Sequence, residues 1–199
     1  VAAETLARVH RQHLGAHMRD ALREVRMDSR PSITAAALAE AFVTSQTEAR
    51  RLGAMIPESV RRVDILLTHL HMDHIQGLGF FAPLYRPDVD AHIWGPGSVT
   101  LRLRARLMRY LSPPLFPVSL SELPCKLTLH EVPCDDVDIG EFRVTSALVC
   151  HPGPTVGYRI AEAGGSVMTY LPDHEPALGS SRFPGLPRAW TSGGALAAN

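Results

Sequence analysis

The chain has 199 residues, of which 45% are hydrophobic and 20% are charged, as in an ordinary globular protein rather than a disordered one. The 20 basic and 20 acidic residues cancel, which excludes a protein that binds nucleic acid through overall positive charge. No apolar run approaches the ~20 residues of a membrane span. Three cysteines without CxxC spacing argue against a disulfide scaffold and for a reducing compartment. We therefore expect a cytoplasmic protein that does not enter a membrane.

Residues 1–47 are the first of two predicted segments. Apolar residues recur there at helical spacing, and Ser32 is placed to cap a second, alanine-rich helix over residues 35–41. Three histidines share one helical face, but no carboxylate completes a metal site, so a solvated helix face is expected (His10, His13, His17). The pattern changes near Glu48, after which strands and helices alternate. This predicts a helical segment over 1–47 and an α/β domain over 48–199.

The predicted strands of that domain are read from β-branched and apolar runs bounded by turn residues. Val63–Thr68 is a compact run of this kind and predicts a buried strand. An acidic turn is expected over residues 135–140, and Ala163-Gly164-Gly165 predicts a hairpin turn. The other predicted strands cover residues 91–94, 127–132, 142–149, 155–160 and 166–171.

Two helices are predicted between the strands. Helical spacing covers residues 75–85, and Ser98 is a plausible N-cap for a helix through Leu111. The second helix is expected to place four residues on one face, with arginines opposite (Leu101, Ala105, Met108, Leu111). Residues 91–121 contain no acidic side chain, so these arginines could attract a phosphate-bearing substrate. An exposed amphipathic helix without a ligand is the simpler interpretation and the one we favour.

The segment Thr68–His74 carries the chemistry of the chain. It places three histidines and one aspartate within six residues, directly after the predicted strand (His69, His71, Asp73, His74). Neutral imidazole and carboxylate are the groups that borderline divalent metals such as zinc bind. In an extended segment, His69 and His71 point the same way, and a turn would bring Asp73 and His74 into a second cluster. Two adjacent clusters favour two metal ions over one.

The run from Leu66 to Leu78, which contains the pattern HxHxDH, resembles the signature of the metallo-β-lactamase superfamily. Within it, the branch of tRNA 3′-processing endonucleases and cyclic-phosphate phosphodiesterases is the most similar. His151 follows a predicted strand and matches the next histidine of that family. Asp173 follows another strand and matches its metal-bridging aspartate. The resemblance covers residues 48–190 and implies an αββα sandwich of two mixed sheets face to face, with the metals at one edge.

The resemblance also implies a ligand set for two divalent ions, with zinc expected and manganese or iron as alternatives. His69, His71 and His151 would hold the first ion, Asp73 and His74 the second, and Asp173 would bridge them. Two adjacent cations lower the pKa of a shared water, present hydroxide to an electrophile and neutralise a phosphoryl transition state. The implied function is a binuclear phosphodiesterase in which Asp73 also orients the water. A small-molecule or nucleotide phosphodiester is the expected substrate, nucleic acid is a further candidate, and a homodimer is left open.

The chain departs from the family pattern at both ends. The family has a later histidine that completes the second metal site, and the remaining candidate, His174, is expected to be a polar loop residue. The opening strand hairpin of the family has no counterpart in residues 1–47. We therefore expect a fragment whose sandwich is incomplete at both ends, with its N-terminal stretch unrelated or mistranslated.

Three other functions stay open at this point. A thioester or lactam hydrolase of the same fold would use the same metal ligands. An inactive fragment holding one metal or none would explain the absent final histidine. A redox di-iron relative is disfavoured, because such proteins carry a glutamate where His71 stands. Cys134 and Cys150 are expected to be buried apolar residues rather than nucleophiles.

Overall fold

The structure is a computed structural model, and it describes residues 46–133, 136–162, 167–171 and 173–175. Among these residues no helix has the length and apolar character needed to cross a membrane. Short 3₁₀ turns occupy Leu78–Phe80, Ala82–Tyr85 and Leu120–Glu122. The helices and strands, in chain order, are α1 (Gln46–Met55), β1 (Arg62–Leu66), α2 (Met72–Ile75), β2 (Asp90–Pro96), α3 (Leu103–Leu107), β3 (Lys126–Val132), β4 (Val137–Ile139), β5 (Phe142–Leu148), β6 (Val156–Glu162) and β7 (Val167–Tyr170).

The strands form two sheets. β1, β2 and β3 are parallel neighbours in that order, and residues 67–89 and 97–125 carry the crossovers that parallel pairing requires. β4 to β7 form an antiparallel sheet in sequence order. The predicted α/β class is confirmed. The expectation of two mixed sheets is wrong for the described residues, because there one sheet is wholly parallel and the other is wholly antiparallel.

The two faces of β1 explain how the sheets and helices pack. Val63 and Ile65 are fully buried against the helical side, while Leu66 packs towards the antiparallel sheet. Trp94 and Val132 extend that second face across the parallel sheet, where they meet apolar side chains of β4, β5 and β6. The sheets therefore lie face to face. Helices cover the outer face of the parallel sheet, and the described residues include no helix layer over the antiparallel one.

The arginine-rich helix is shorter than the sequence predicts and buries a different face. It covers only Leu103–Leu107, and Arg102 rather than Ser98 stands at its N-cap position. The side chain of Glu131, on β3, accepts a 2.6 Å hydrogen bond from the backbone N–H of Leu103. The buried residues of this region are Leu103, Leu107, Tyr110 and Leu111, whereas the predicted Leu101, Ala105 and Met108 are exposed.

Three further expectations can be compared with the structure. The helix predicted over 75–85 is replaced by α2 and two 3₁₀ turns, in a segment where Gly79 lies against the Phe116 ring without room for a Cβ atom. The acidic turn expected over 135–140 contains strand β4, which pairs with β5 through a turn at Gly140. The helices predicted before residue 46, Cys134 and the turn at 163–165 lie outside the described residues.

Tyr158 joins the two sheets at the end of β1. Its hydroxyl donates a 2.9 Å hydrogen bond to the carbonyl of Leu67, and its side chain is 1% exposed. The backbone N–H of Leu67 in turn donates to the carbonyl of Trp94 over 2.7 Å. The backbone at the end of β1 is therefore held from both sheets.

We expect Tyr158→Phe to lower the free energy of unfolding by ~1–3 kcal/mol, because it leaves the buried Leu67 carbonyl without this donor. Urea unfolding measures the change. Tyr85→Phe is the control, since Tyr85 donates to Gly79 but is 38% exposed, so that water can replace its hydroxyl. Equal losses in the two variants would contradict a special role for the bond between the sheets.

Candidate metal centre

The first histidine of the motif lies just beyond β1 on a backbone that both sheets hold. The carbonyl of Thr68 accepts a 2.9 Å hydrogen bond from the N–H of Val156, at the start of β6. Together with the bonds at Leu67, this fixes the path of the chain into His69. His69 is 1% exposed, so its ring lies in the interior at the edge of the sandwich.

The rest of the motif folds into the short helix α2. His71 precedes the helix in extended conformation and accepts a 3.0 Å backbone hydrogen bond from His74. This single turn buries His74 and leaves Asp73 facing solvent, with 73% of its side chain exposed. The hydroxyl of Tyr110 donates to the carbonyl of Gln76 and so holds the end of the turn. The predicted turn after His71 is therefore present.

The antiparallel sheet supplies two residues to the same edge. His151 follows β5 and Asp173 follows β7. A 2.6 Å backbone hydrogen bond from Glu175 to Cys150 holds these two segments side by side. Residues separated by about 100 positions in the sequence are therefore brought against the segment from His69 to His74.

Four imidazole rings lie together at this edge. The ring centroid of His69 lies 4.5 Å from that of His71, 4.1 Å from that of His74 and 4.9 Å from that of His151. The Nε2 atom of His151 lies 3.2 Å from Nδ1 of His71. Two triplets have all their ligand atoms within 4.8 Å of one another: His69, His71 and His151, and His69, His74 and Asp173. His69 belongs to both.

Asp173 lies against three of these rings. Its Oδ2 atom is 3.3 Å from Nε2 of His74, 3.7 Å from that of His151 and 3.8 Å from that of His69. One carboxylate oxygen therefore faces nitrogens from both triplets. This is the arrangement that a carboxylate shared between two cations would need.

The electrostatics of His69 favour metal binding. Burial, followed by the neighbouring imidazoles of His74, His71 and His151, lowers its pKa from 6.5 to about 4, and Asp173 partly opposes this shift. His69 is therefore neutral at pH 7, which is the form that binds metal. Nε2 of His69 and Nδ1 of His74 are buried without a hydrogen-bond partner among the described residues. For His69, whose Nε2 lies beside the other ligand candidates, a cation would satisfy this buried nitrogen.

Asp73 and His174 differ from the rest of the predicted set. The Oδ2 atom of Asp73 lies 3.6 Å from Nε2 of His74, but Asp73 belongs to neither triplet. His174 is exposed, as expected of a polar loop residue. Cys150 is partly buried, and the described residues show no role for it as a nucleophile.

Two features near the sheets have no counterpart in the sequence analysis. The hydroxyl of Thr68 lies 3.1 Å from Nδ1 of His69; a hydroxyl residue directly before the first histidine was the available signal. A second histidine pair, His92 and His130, lies on the parallel sheet, with Nδ1 and Nε2 2.8 Å apart. The ring of His130 stacks on Trp94, and this pair belongs to neither triplet.

Comparison with known proteins gives a family-model match that covers most of the chain. A family model described as "Beta-lactamase superfamily domain" matches residues 24–180. A ribonuclease Z from Thermosynechococcus vestitus is 36% identical over 102 residues, which is 49% of this chain and 23% of that protein. The chain thus spans about a quarter of the length of this curated relative.

Solved structures with similarity include two that cover more than half of this chain. The metallo-beta-lactamase fold protein YhfI from Bacillus subtilis is 21% identical, with 59% of this chain and 44% of that chain covered and a TM-score of 0.41. The short form of human tRNase Z is 24% identical, with 57% and 49% covered and a TM-score of 0.41. The family model is the match on which the assignment depends. The chain belongs to the beta-lactamase superfamily, as the sequence analysis predicted.

Proposed function

We propose that this chain carries the metal centre of a phosphodiesterase that uses two divalent cations. The observation that supports this most directly is the shared position of Asp173, whose Oδ2 atom lies within 3.8 Å of three imidazole nitrogens from both triplets. Imidazole nitrogens and a carboxylate oxygen are the ligands that borderline divalent cations prefer, so this half-buried carboxylate suits a position between two of them. The similarity to a ribonuclease Z supports a phosphodiester as the substrate.

The ligand assignment follows the two groups of side chains. His69, His71 and His151 would hold the first cation. Asp73 and His74 would hold the second, with Asp173 shared between the two. When bound, the cations would lower the pKa of a water molecule and offset negative charge on phosphoryl oxygens. Zinc is the expected metal, because imidazole and carboxylate suit it.

Asp73 is the proposed catalytic residue. Its carboxylate lies 3.6 Å from Nε2 of His74 and is largely exposed, so it is open to solvent at the edge of the cluster. From there Oδ2 can accept a hydrogen bond from the attacking water, orient it and take up its proton. His74 is buried in the short helix α2, which also contains Asp73, so the helix fixes the position of the Asp73 backbone.

The arginine-rich segment supports a substrate with phosphate groups. Helix α3 follows the carboxyl end of β2, and His69 follows the carboxyl end of β1. Because β1 and β2 are parallel, the arginine-rich segment and the histidine motif begin at the same end of the sheet. Arg102, Arg104 and Arg109 are exposed, and residues 91–121 contain no acidic side chain. A nucleotide or nucleic-acid phosphodiester fits this charge.

The test is hydrolysis by the metal-loaded protein of three substrates: bis(p-nitrophenyl) phosphate, a thioester and a lactam. We expect metal-dependent release of p-nitrophenol from the phosphodiester and little turnover of the other two. Asp73→Asn, which keeps the side-chain shape, serves as the inactive control. Preferential cleavage of the thioester or the lactam would instead support the second candidate function, which the same ligands could perform. Binding of one cation or none, with no turnover, would support an inactive fragment.

Four further expectations stay predictions. They are the domain boundary between residues 47 and 48, the use of zinc, the cytoplasmic location and a homodimer. Metal analysis of the purified protein addresses the metal, and light scattering addresses the oligomeric state.

A further inference from the structure

The two nitrogens of His69 have different surroundings. Nδ1 lies 3.1 Å from the hydroxyl oxygen of Thr68, within hydrogen-bond distance. Nε2 is buried without a hydrogen-bond partner among the described residues, and its distance of 3.8 Å to Asp173 is too long for a hydrogen bond. The ring therefore has one side satisfied by a hydroxyl and the other side open towards the cluster.

A neutral imidazole carries its proton on one nitrogen only, so these surroundings select the tautomer. A proton on Nε2 would be a buried donor without an acceptor, directed at the neighbouring rings, and it would prevent that nitrogen from binding a metal. A proton on Nδ1 has an acceptor in the Thr68 oxygen. The second arrangement leaves the lone pair of Nε2 facing the cluster, as metal binding requires.

We propose that Thr68 is a positioning residue for the metal centre: its hydroxyl accepts the Nδ1 proton of His69 and thereby keeps Nε2 unprotonated and oriented towards the cation. This inference rests on the proposed metal site. Since His69 belongs to both triplets, the Thr68 hydroxyl acts on a residue that both share. His74 differs, because its Nδ1 is buried without a hydrogen-bond partner among the described residues.

The backbone places the Thr68 hydroxyl independently of the imidazole. Thr68 is fully buried, and its carbonyl accepts the N–H of Val156. The neighbouring carbonyl of Leu67 accepts the hydroxyl of Tyr158. Removing the Thr68 hydroxyl should leave these backbone bonds in place, so that its effect on His69 can be separated from an effect on the fold.

Two substitutions at position 68 distinguish the effect of the hydroxyl group from the effect of side-chain volume. Thr68→Val keeps the branched shape and removes the acceptor, whereas Thr68→Ser keeps the hydroxyl and removes a methyl group. Long-range ¹⁵N–¹H NMR of the metal-free protein reads the His69 tautomer, with His69→Gln to assign its signals. Calorimetric titration with Zn²⁺ measures affinity in the same samples.

We expect the Nδ1–H tautomer in the wild type and in Thr68→Ser. Thr68→Val should shift the signals towards the Nε2–H form and weaken Zn²⁺ binding by roughly 10- to 100-fold, as for other groups that orient metal-binding histidines. Affinity in Thr68→Ser should stay within about threefold of the wild type. Thr68→Ala provides a second variant without the hydroxyl if Thr68→Val does not fold.

An Nε2–H tautomer of His69 in the wild type would overturn the inference without any variant. So would unchanged Zn²⁺ affinity in both variants that lack the hydroxyl. These readouts do not depend on turnover. A protein that binds Zn²⁺ with the expected tautomer but cleaves no phosphodiester would contradict the proposed function and leave the role of Thr68 intact.

Discussion

Asp173→Asn should lower the rate of phosphodiester hydrolysis by roughly 100-fold or more in the metal-loaded protein. The carboxylate oxygen of Asp173 lies 3.3–3.8 Å from three imidazole nitrogens, and a neutral amide would be a much weaker ligand for cations held there. Metal ions contribute several kcal/mol of charge stabilisation in such reactions, and each 1.4 kcal/mol or so is a factor of ten in rate. Steady-state kinetics with bis(p-nitrophenyl) phosphate measures the loss.

The adjacent residue offers a matched control. His174 is exposed and belongs to neither triplet, so His174→Asn should keep the rate within about twofold. When all three proteins are free of metal, both variants should unfold at about the same temperature as the wild-type protein. If Asp173→Asn retained more than a third of the rate with both cations bound, the proposed bridging role of Asp173 would be wrong.

Most strands could be predicted because burial leaves a direct mark on composition. β1 is covered on both faces, so the segment Val63–Thr68 is a compact β-branched and apolar run apart from Asp64, and its prediction as a strand is confirmed to within two residues. β4 was missed because it has only three residues, one of them Asp138, and its pairing with β5 depends on the turn at Gly140. A strand that short has little pattern of its own.

The error in the arginine-rich helix has a long-range cause. Ser98 was a reasonable N-cap by local rules, but the helix begins at Leu103, whose N–H is satisfied by Glu131 from β3. The shift of the start changes the part of the segment that is helical and therefore the face that is buried. A cap supplied from 28 positions away cannot be recognised by reading neighbouring residues.

The candidate site also has a part that local sequence predicts and a part that depends on distant segments. The motif from His69 to His74 is local and could be recognised at once, whereas His151 and Asp173 were assigned by resemblance and by their positions after strands. Their roles as ligands stay predictions, although both lie beside the motif residues. The position of His69 in both triplets could not be foreseen, since it depends on how four rings pack in three dimensions.

Saturating zinc should bind with two equivalents and raise the free energy of unfolding, and His71→Ala should reduce the stoichiometry to one. A ligand that binds only the folded protein adds about 2.7 kcal/mol when its free concentration is 100 times Kd. His71 is exposed and belongs only to the first triplet, so its loss leaves Asp73, His74 and Asp173, the proposed ligands of the second cation, in place. Calorimetric titration and thermal unfolding with and without chelator measure both effects.

His71→Ala also distinguishes a centre with two cations from an inactive fragment with one. An inactive fragment that holds one cation would bind one equivalent in the wild type, and His71→Ala would then either abolish binding or leave it unchanged. His174→Asn removes an exposed imidazole outside the triplets and should bind two equivalents with wild-type affinity. Two equivalents in His71→Ala, with unchanged Kd, would show that His69, His71 and His151 do not form a cation site. If zinc did not stabilise the chain at all, the proposed metal centre would be wrong, because a cation that binds only the folded protein must raise the free energy of unfolding.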